Sequence, residues 1–396
     1  LIKRKDLTGL AWRWLVGLAL LALPLARAEA QELVPAPPKQ NGAFFVPMLT
    51  LSEALDDNLF FTQFPEADFV TRVGLGLQTG YRSTRFTIDA QGSRAADFFG
   101  RHPDFDTMNG RSFAQLSMDA QATKSLTLSL FAGYIDTKTP SELNVFSGLA
   151  LGRSLATRKS VTPLLAYRIS SLSTFTGAFS KAHETLDGRI ADTQTWTASL
   201  DRRMSKRDTL ALRYERRLFD FSGGDKTEHS TADVVTFGWI GDVSPRAIVL
   251  LRAGPRFAKG AVTAEVLASM KRRMKRGLLT VTYAKSQATT LGKTGALDTQ
   301  SLVATVVLRL ARNLEIGTGP GLYHNSLRGK SLSAMRLNLE ALWHFSPWFH
   351  LGAGFAFDLQ QPDFDASGHI RRSALNVKLM VSPDQRQPLN IPSEEQ

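Results

Sequence analysis

The sequence predicts a transmembrane antiparallel β-barrel of about 18 strands, or 16 if one hairpin is miscounted. Three observations carry that expectation. Apolar and polar residues alternate over many strand-length segments, very short turns take turns with longer connections, and the chain opens on an export-type leader.

The clearest hairpin lies at residues 331–358. Met335, Leu337, Leu339, Ala341 and Trp343 alternate with Ala334, Arg336, Asn338, Glu340 and His344, and a tight turn follows at Ser346-Pro347. On the way back Phe349, Leu351, Ala353, Phe355 and Phe357 alternate with His350, Gly352, Gly354, Ala356 and Asp358. Side chains on a strand point alternately to opposite faces, so this ribbon has an apolar, aromatic face and a charged, glycine-bearing one. Each arm matches the roughly 9–11 residues that a transmembrane strand needs.

In chain order, Lys3, Arg4 and Lys5 precede an apolar run from Trp14 to Leu25 and the small-x-small motif Ala26-Arg27-Ala28. This reads as a secretory leader over 1–28, with Ala28-Glu29-Ala30 as a second cleavage motif. Residues 29–43, with Pro35, Pro37 and Pro38, read as an extended periplasmic lead-in, and 44–382 as the barrel. A first strand is expected near Phe44–Ser52, where Pro47 requires an edge or a bulge. Short turns fall near 82–84, 123–125, 170–171, 205–207, 244–245, 273–276, 311–313 and 346–347. Longer connections fall at 53–67, 95–110, 137–158, 184–191, 220–229, 288–297 and 361–369, with two brief ones near 258–260 and 326–330. Outer-membrane barrels keep short turns on the periplasmic side and long loops outside. The last strand ends near Val381, and the Pro-rich residues 383–396 form a periplasmic tail.

One face carries Leu116, Leu128, Trp196, Leu212, Phe237, Tyr283, Leu308 and Val377. The other carries Gln115, Asp119, Asp201 and Arg203 together with the charged residues taken up below. A soluble sandwich has the same alternation with its apolar face packed inside. The leader, the strand count and the turn asymmetry favour lipid, as do the aromatics Tyr81, Phe86, Trp343, Phe345, Trp348 and Phe349 near strand ends.

Composition narrows the classes further. The absence of cysteine rules out a disulfide framework, a thiolate zinc site and a haem-attachment motif. The formal charge of +12 becomes +8 once Lys3, Arg4, Lys5, Arg13, Arg27 and Asp6 leave with residues 1–28. A basic exported chain suits anionic neighbours such as lipopolysaccharide, acidic polysaccharide or small anionic solutes, and not nucleic acid.

Asp57-Asn58-Leu59-Phe60, followed by Asp68-Phe69-Val70 and Gly74-Leu75-Gly76-Leu77, resembles the outer-membrane β-barrel porin family of Gram-negative bacteria. Some members accompany exopolysaccharide or surface-polysaccharide gene sets. The resemblance covers the mature chain as architecture and residues 55–90 as a motif. It implies insertion by the barrel-assembly machinery beside outer-membrane lipids, and leaves the solute open. One departure is the missing terminal aromatic on the last strand.

The candidate pore-lining residues are Arg213, Glu215, Arg252, Arg256, Glu265, Arg309, Arg336, Glu340, Asp358 and Lys378. Charged rings set the ion preference of a pore. The plainer reading is that these residues pair, neutralise one another and merely hydrate the wall. The run Lys271-Arg272-Arg273-Met274-Lys275-Arg276 is placed at a periplasmic turn, where a solvated role is the simpler one. Asp104, Asp106, Asp363, Asp365, Asp56 and Asp57 are too few per loop for calcium, so no metal or cofactor is expected. The seven histidines show no metalloprotease spacing, and no serine sits in a nucleophile elbow. Gly317, Gly319 and Gly321 lack the following helix of a phosphate loop and suit barrel curvature instead. The expected activity is passive passage through a hydrated lumen, without catalysis. A non-conducting structural or adhesion barrel and an outer-membrane hydrolase are the competing classes.

Overall fold

The computed structural model describes residues 42–223, 226–291, 295–327, 329–361 and 368–383. The leader, the lead-in up to residue 41, the Asp363/Asp365 pair and the tail from residue 384 lie outside the described residues. Eighteen antiparallel strands form one sheet: β1 Gly42–Asp56, β2 Asp68–Arg82, β3 Phe86–Phe99, β4 Thr107–Gln121, β5 Leu126–Thr137, β6 Ala156–Arg168, β7 Ser173–Leu186, β8 Arg189–Arg203 and β9 Asp208–Gly223. They continue as β10 Lys226–Ser244, β11 Ala247–Ala258, β12 Ala261–Met274, β13 Gly277–Ala288, β14 Leu297–Ala311, β15 Leu314–Leu327, β16 Lys330–His344, β17 Phe349–Gln360 and β18 Ile370–Val381. Each strand pairs with its neighbours in sequence, and β1 pairs with β18, so the sheet closes on itself. A closed barrel leaves no open edge, which is what a sheet in lipid requires.

The seam explains Pro47. β1 pairs with β2 along its whole length but meets β18 only from Leu49 to Asp56. Pro47 therefore sits on a stretch with a bare edge, where a missing N–H breaks no ladder on that side.

Turn chemistry fixes the short-turn end. In five hairpins a hydroxyl accepts the N–H of the residue that opens the next strand: Ser83 from Phe86 (3.1 Å), Thr123 from Leu126 (3.0 Å), Ser170 from Ser173 (3.0 Å), Ser205 from Asp208 (3.0 Å) and Ser346 from Phe349 (3.0 Å). Ser and Thr stabilise turns by this local side-chain bond. It is why these turns are legible in sequence.

Two of the expected long loops are strands. Residues 184–191 close as a two-residue hairpin on Asp187 (φ 46°) and Gly188 (φ 77°), the left-handed pair of a type I′ turn. Residues 220–223 and 226–229 continue β9 and β10, paired from Asp220↔His229 to Gly223↔Lys226. Above the lipid both faces meet water or loops, so outward positions turn polar (Asp220, His229) while Phe219 and Phe221 are buried inside. Charge there marks strand outside the membrane, not loop. Likewise β1 runs on to Asp56, so the first connection begins at residue 57.

The faces are as the alternation implies. Leu339 and Trp343 are exposed on the outside, level along the strand with Phe355 and Leu351. Arg309 and Glu340 lie on the opposite face. The buried apolar clusters, such as Leu149, Leu297, Tyr323 and Leu332, all lie where connections pack against the outer ends of strands. The core sits at the mouth.

Candidate functional site: the barrel interior

Long side chains that bridge non-neighbouring strands identify the inner face. Arg217 on β9 donates to the Gln287 carbonyl on β13 (3.4 Å) and pairs with Glu265 on β12 (2.7 Å). Strand parity and register then place Arg213, Glu215, Arg252, Arg256, Glu265, Arg309, Arg336, Glu340, Asp358 and Lys378 on that same inner face.

Most of these ten are paired. Glu215 holds Arg213 and Arg217, the latter at 2.5 Å; Glu265 holds Arg217 and Arg256, and Arg256 also reaches Asp298 of β14. Arg336 bonds Asp358 at 2.8 Å, and Arg309 bonds Glu315 at 2.6 Å. Buried ions need such partners, because removal from water costs more than an isolated charge can recover. Among the described residues Arg252, Lys378 and Glu340 make no ion pair. The pairing reading therefore covers seven residues and fails for three.

Sequence reasoning missed several inner ions. Arg217 follows Glu215 by two, the same alternation that found its neighbours. Arg72 and Arg153 share Asp97 (2.7 and 3.2 Å), Arg372 grips Asp56 (2.6 Å), and Arg158 pairs with Glu184 (2.9 Å). Arg153 and Glu142, the partner of Arg111 at 2.8 Å, come from a connection where no periodicity could have placed them.

That connection, residues 138–155, crosses the lumen. It leaves β5, forms one 3₁₀ turn at Pro140–Glu142 and returns to β6, its base closed by Ser154 N–H on the Lys138 carbonyl (3.1 Å). Half-way round the ring, Asn325 of β15 donates to the Ser147 carbonyl (2.8 Å) and Arg336 of β16 to that of Ser141 (3.3 Å). Gln360 of β17 both donates to and accepts from the Ala150 backbone, each at 2.9 Å. Leu149 is buried against Leu297, Tyr323, Leu332 and Ala334. Gly148, at φ +63°, lies so close to the Tyr323 ring that any β-carbon would overlap it. Gly321 abuts the same ring, which is the tighter reason for glycine there.

Two further connections brace this strap. Leu291 N–H donates to Asn144 Oδ1 (3.0 Å), and Thr289 donates to Glu184 (3.3 Å). Phe61 packs on Ala150 and Ile370. Three of the loop carboxylates have structural tasks: Asp56 holds Arg372, Asp57 accepts Ser373 N–H (2.5 Å), and Asp106 accepts Phe99 N–H (2.8 Å). Among the described residues no group of three His, Asp or Glu side chains could hold a metal ion. Of the basic run, Lys271 to Met274 lie in β12, and Lys275-Arg276 form a turn at the short-turn end.

A closed barrel with an apolar outer band, short turns at one rim and long connections at the other is an outer-membrane structure. This protein belongs in the outer membrane of a Gram-negative bacterium. No family model matches the sequence, and no curated protein matches it. Among solved structures, OpdO of Pseudomonas aeruginosa aligns over 86% of this chain and 97% of its own at 13% identity and TM-score 0.48. OpdQ of the same organism aligns over 86% and 98% at 12% and 0.47. The ferric enterobactin receptor PfeA of Pseudomonas aeruginosa, as a double mutant, aligns over 87% and 81% at 9% and 0.46. Likeness at this level concerns barrel shape, and no residue role is transferred from it.

Proposed function

We propose that this chain is a passive channel for small hydrophilic solutes, narrowed by the strap at 138–155 and mildly selective for anions. The strap carries the reading: it crosses a charged, hydrated interior and is fastened to the far wall by backbone and side-chain hydrogen bonds. Charged constrictions filter solutes by size and sign. Among the ten candidate residues two cations, Arg252 and Lys378, lack an ion-pair partner against one acid, Glu340, which favours anions. Mechanistically the protein binds loosely and lets go; no bond is made or broken.

Polysaccharide export is the finer alternative that the family resemblance suggests. A polymer chain needs the strap moved aside, at the cost of the Gln360, Asn325 and Arg336 bonds together. Small solutes need no such displacement, and the geometry favours them.

The test is conductance of the purified full chain in planar bilayers under a salt gradient. Discrete steps with an anion-preferring reversal potential are expected, and R252Q/K378Q should move that potential towards zero. Replacing residues 140–152 by a short Gly-Ser linker should raise the step size several-fold. Silence from both proteins makes this a plugged structural barrel, and clear cation preference overturns the selectivity.

A further inference from the structure

The outer wall carries a second pattern, unrelated to the lumen. In strands that rise from the short-turn rim, the outward residue eight places past the first is Arg94 in β3 (from Phe86), Lys181 in β7 (from Ser173) and Arg216 in β9 (from Asp208). Below that level the outward residues of these strands are Ile88, Ala90 and Gly92, then Phe175, Gly177 and Phe179, then Leu210, Leu212 and Tyr214, with no charge among them. Eight residues at roughly 3.3 Å each, on a strand tilted by roughly 40°, rise about 20 Å, close to the roughly 25 Å apolar band of such barrels. The basic residues therefore stand at the upper border of the lipid. The same position holds Lys285 in β13, Leu322 in β15 and Phe357 in β17. The basic positions fall between β3 and β13, with none in β15 or β17.

The basic positions are densest over β5–β8. Lys159 points outward between its direct partners Tyr134 and His183, and Lys181 pairs across to Gln194. Lys159 and Lys181 are diagonal neighbours through His183, near enough to address one ligand. Among the described residues neither side chain has a hydrogen bond or an ion pair, and that of Arg94 has none either. His183 is held by Asp192 (2.9 Å), and Arg216 touches Asp233 only at 3.9 Å. An unpaired ammonium at the edge of lipid extends its head to the interface and seeks an anion there.

We propose that Lys159 and Lys181, with Arg216 beside them, form a phosphate-binding site on the outer wall for the phosphorylated glycolipid of the outer leaflet, the lipid A part of lipopolysaccharide. Its acyl chains lie on the apolar band over Phe175, Phe179 and Leu165, and its phosphates meet the two lysines. Tyr134 and Gln194 offer hydrogen bonds to the sugar. The site is independent of whether the lumen conducts.

Native mass spectrometry of the detergent-purified full chain, titrated with bisphosphorylated lipid A, tests the site. Each lysine near an anionic surface contributes about five-fold in affinity. K159Q/K181Q should therefore bind about thirty-fold more weakly, with unchanged heat-modifiable migration on gels showing that the barrel is intact. Wild-type protein should show a similar loss when the lipid A lacks both phosphates, an arm that holds even if the double variant fails to fold. Equal binding by the two proteins, or equal binding of phosphorylated and dephosphorylated lipid A, overturns the proposal.

Discussion

The two rims of this barrel are built by different physics. At the short-turn rim each hairpin is closed by residues three or four apart, and in five of them a single Ser or Thr hydroxyl caps the next strand. At the outer rim the connections are fixed by residues far away in sequence: Gln360 holds Ala150, Asn325 holds Ser147, and Ser373 holds Asp57. Local bonds make one rim a repeated part. Distant bonds make the other rim specific to this protein, and in the proposed channel that rim is the part that would sort solutes by size and charge.

Gly148 is where the strap is most easily separated from the short-turn rim. G148V introduces a side chain at a left-handed residue and drives it into the Tyr323 ring. The strap should leave the far wall, and single-channel conductance should rise at least two-fold while the short-turn rim stays folded. Unchanged conductance would show that the strap does not narrow the path. Next in size is the lumen network. R217M leaves Glu215 and Glu265 without their shared cation and should cost about 3 kcal/mol, read by urea unfolding in detergent. R252M removes a cation that holds no partner and should cost far less.

How much of this was legible in sequence follows the same division. Alternation fixed the inner and outer faces through the whole wall, because a strand's period of two does not depend on what the strand packs against. The eight short turns were legible because their chemistry is local. The Asp187-Gly188 hairpin was also legible in principle, since Asp-Gly is a type I′ signature, but the charge around it reads as loop. The strap was not legible. Nothing within 138–155 says that Leu149 will meet Leu332 or that Arg153 will meet Asp97; those contacts exist only after the barrel has closed.

A smaller effect probes the local rim. T123A removes the hydroxyl that accepts the N–H groups of Ser125 (3.2 Å) and Leu126 (3.0 Å). These bonds are exposed, so the loss should be about 0.5–1 kcal/mol in the same unfolding assay. A loss as large as that of R217M would mean that turn chemistry governs the wall as well as its register.

The least costly perturbation is a proton at the outer rim. His102, in the connection between β3 and β4, has Nδ1 2.7 Å from Asp68 and Nε2 3.2 Å from Glu66. The hydrogen bond to Asp68 raises its pKa most, with smaller help from Glu66 and opposition from desolvation. Protonated, the ring donates to both carboxylates. Neutral, it has one N–H, and the nitrogen left without a proton faces a carboxylate as a second acceptor. Because the folded value lies above the unfolded one of about 6.5, the tie is complete below that pH and is lost as pH rises through the raised value. Titration of the His102 Cε1 carbon resonance should give a midpoint above that of free histidine, and D68N should return it towards the free value. In H102A the pH dependence of proteolysis within residues 100–106 should vanish. The strap's far-wall bonds should be unaffected by either change, since no histidine takes part in them.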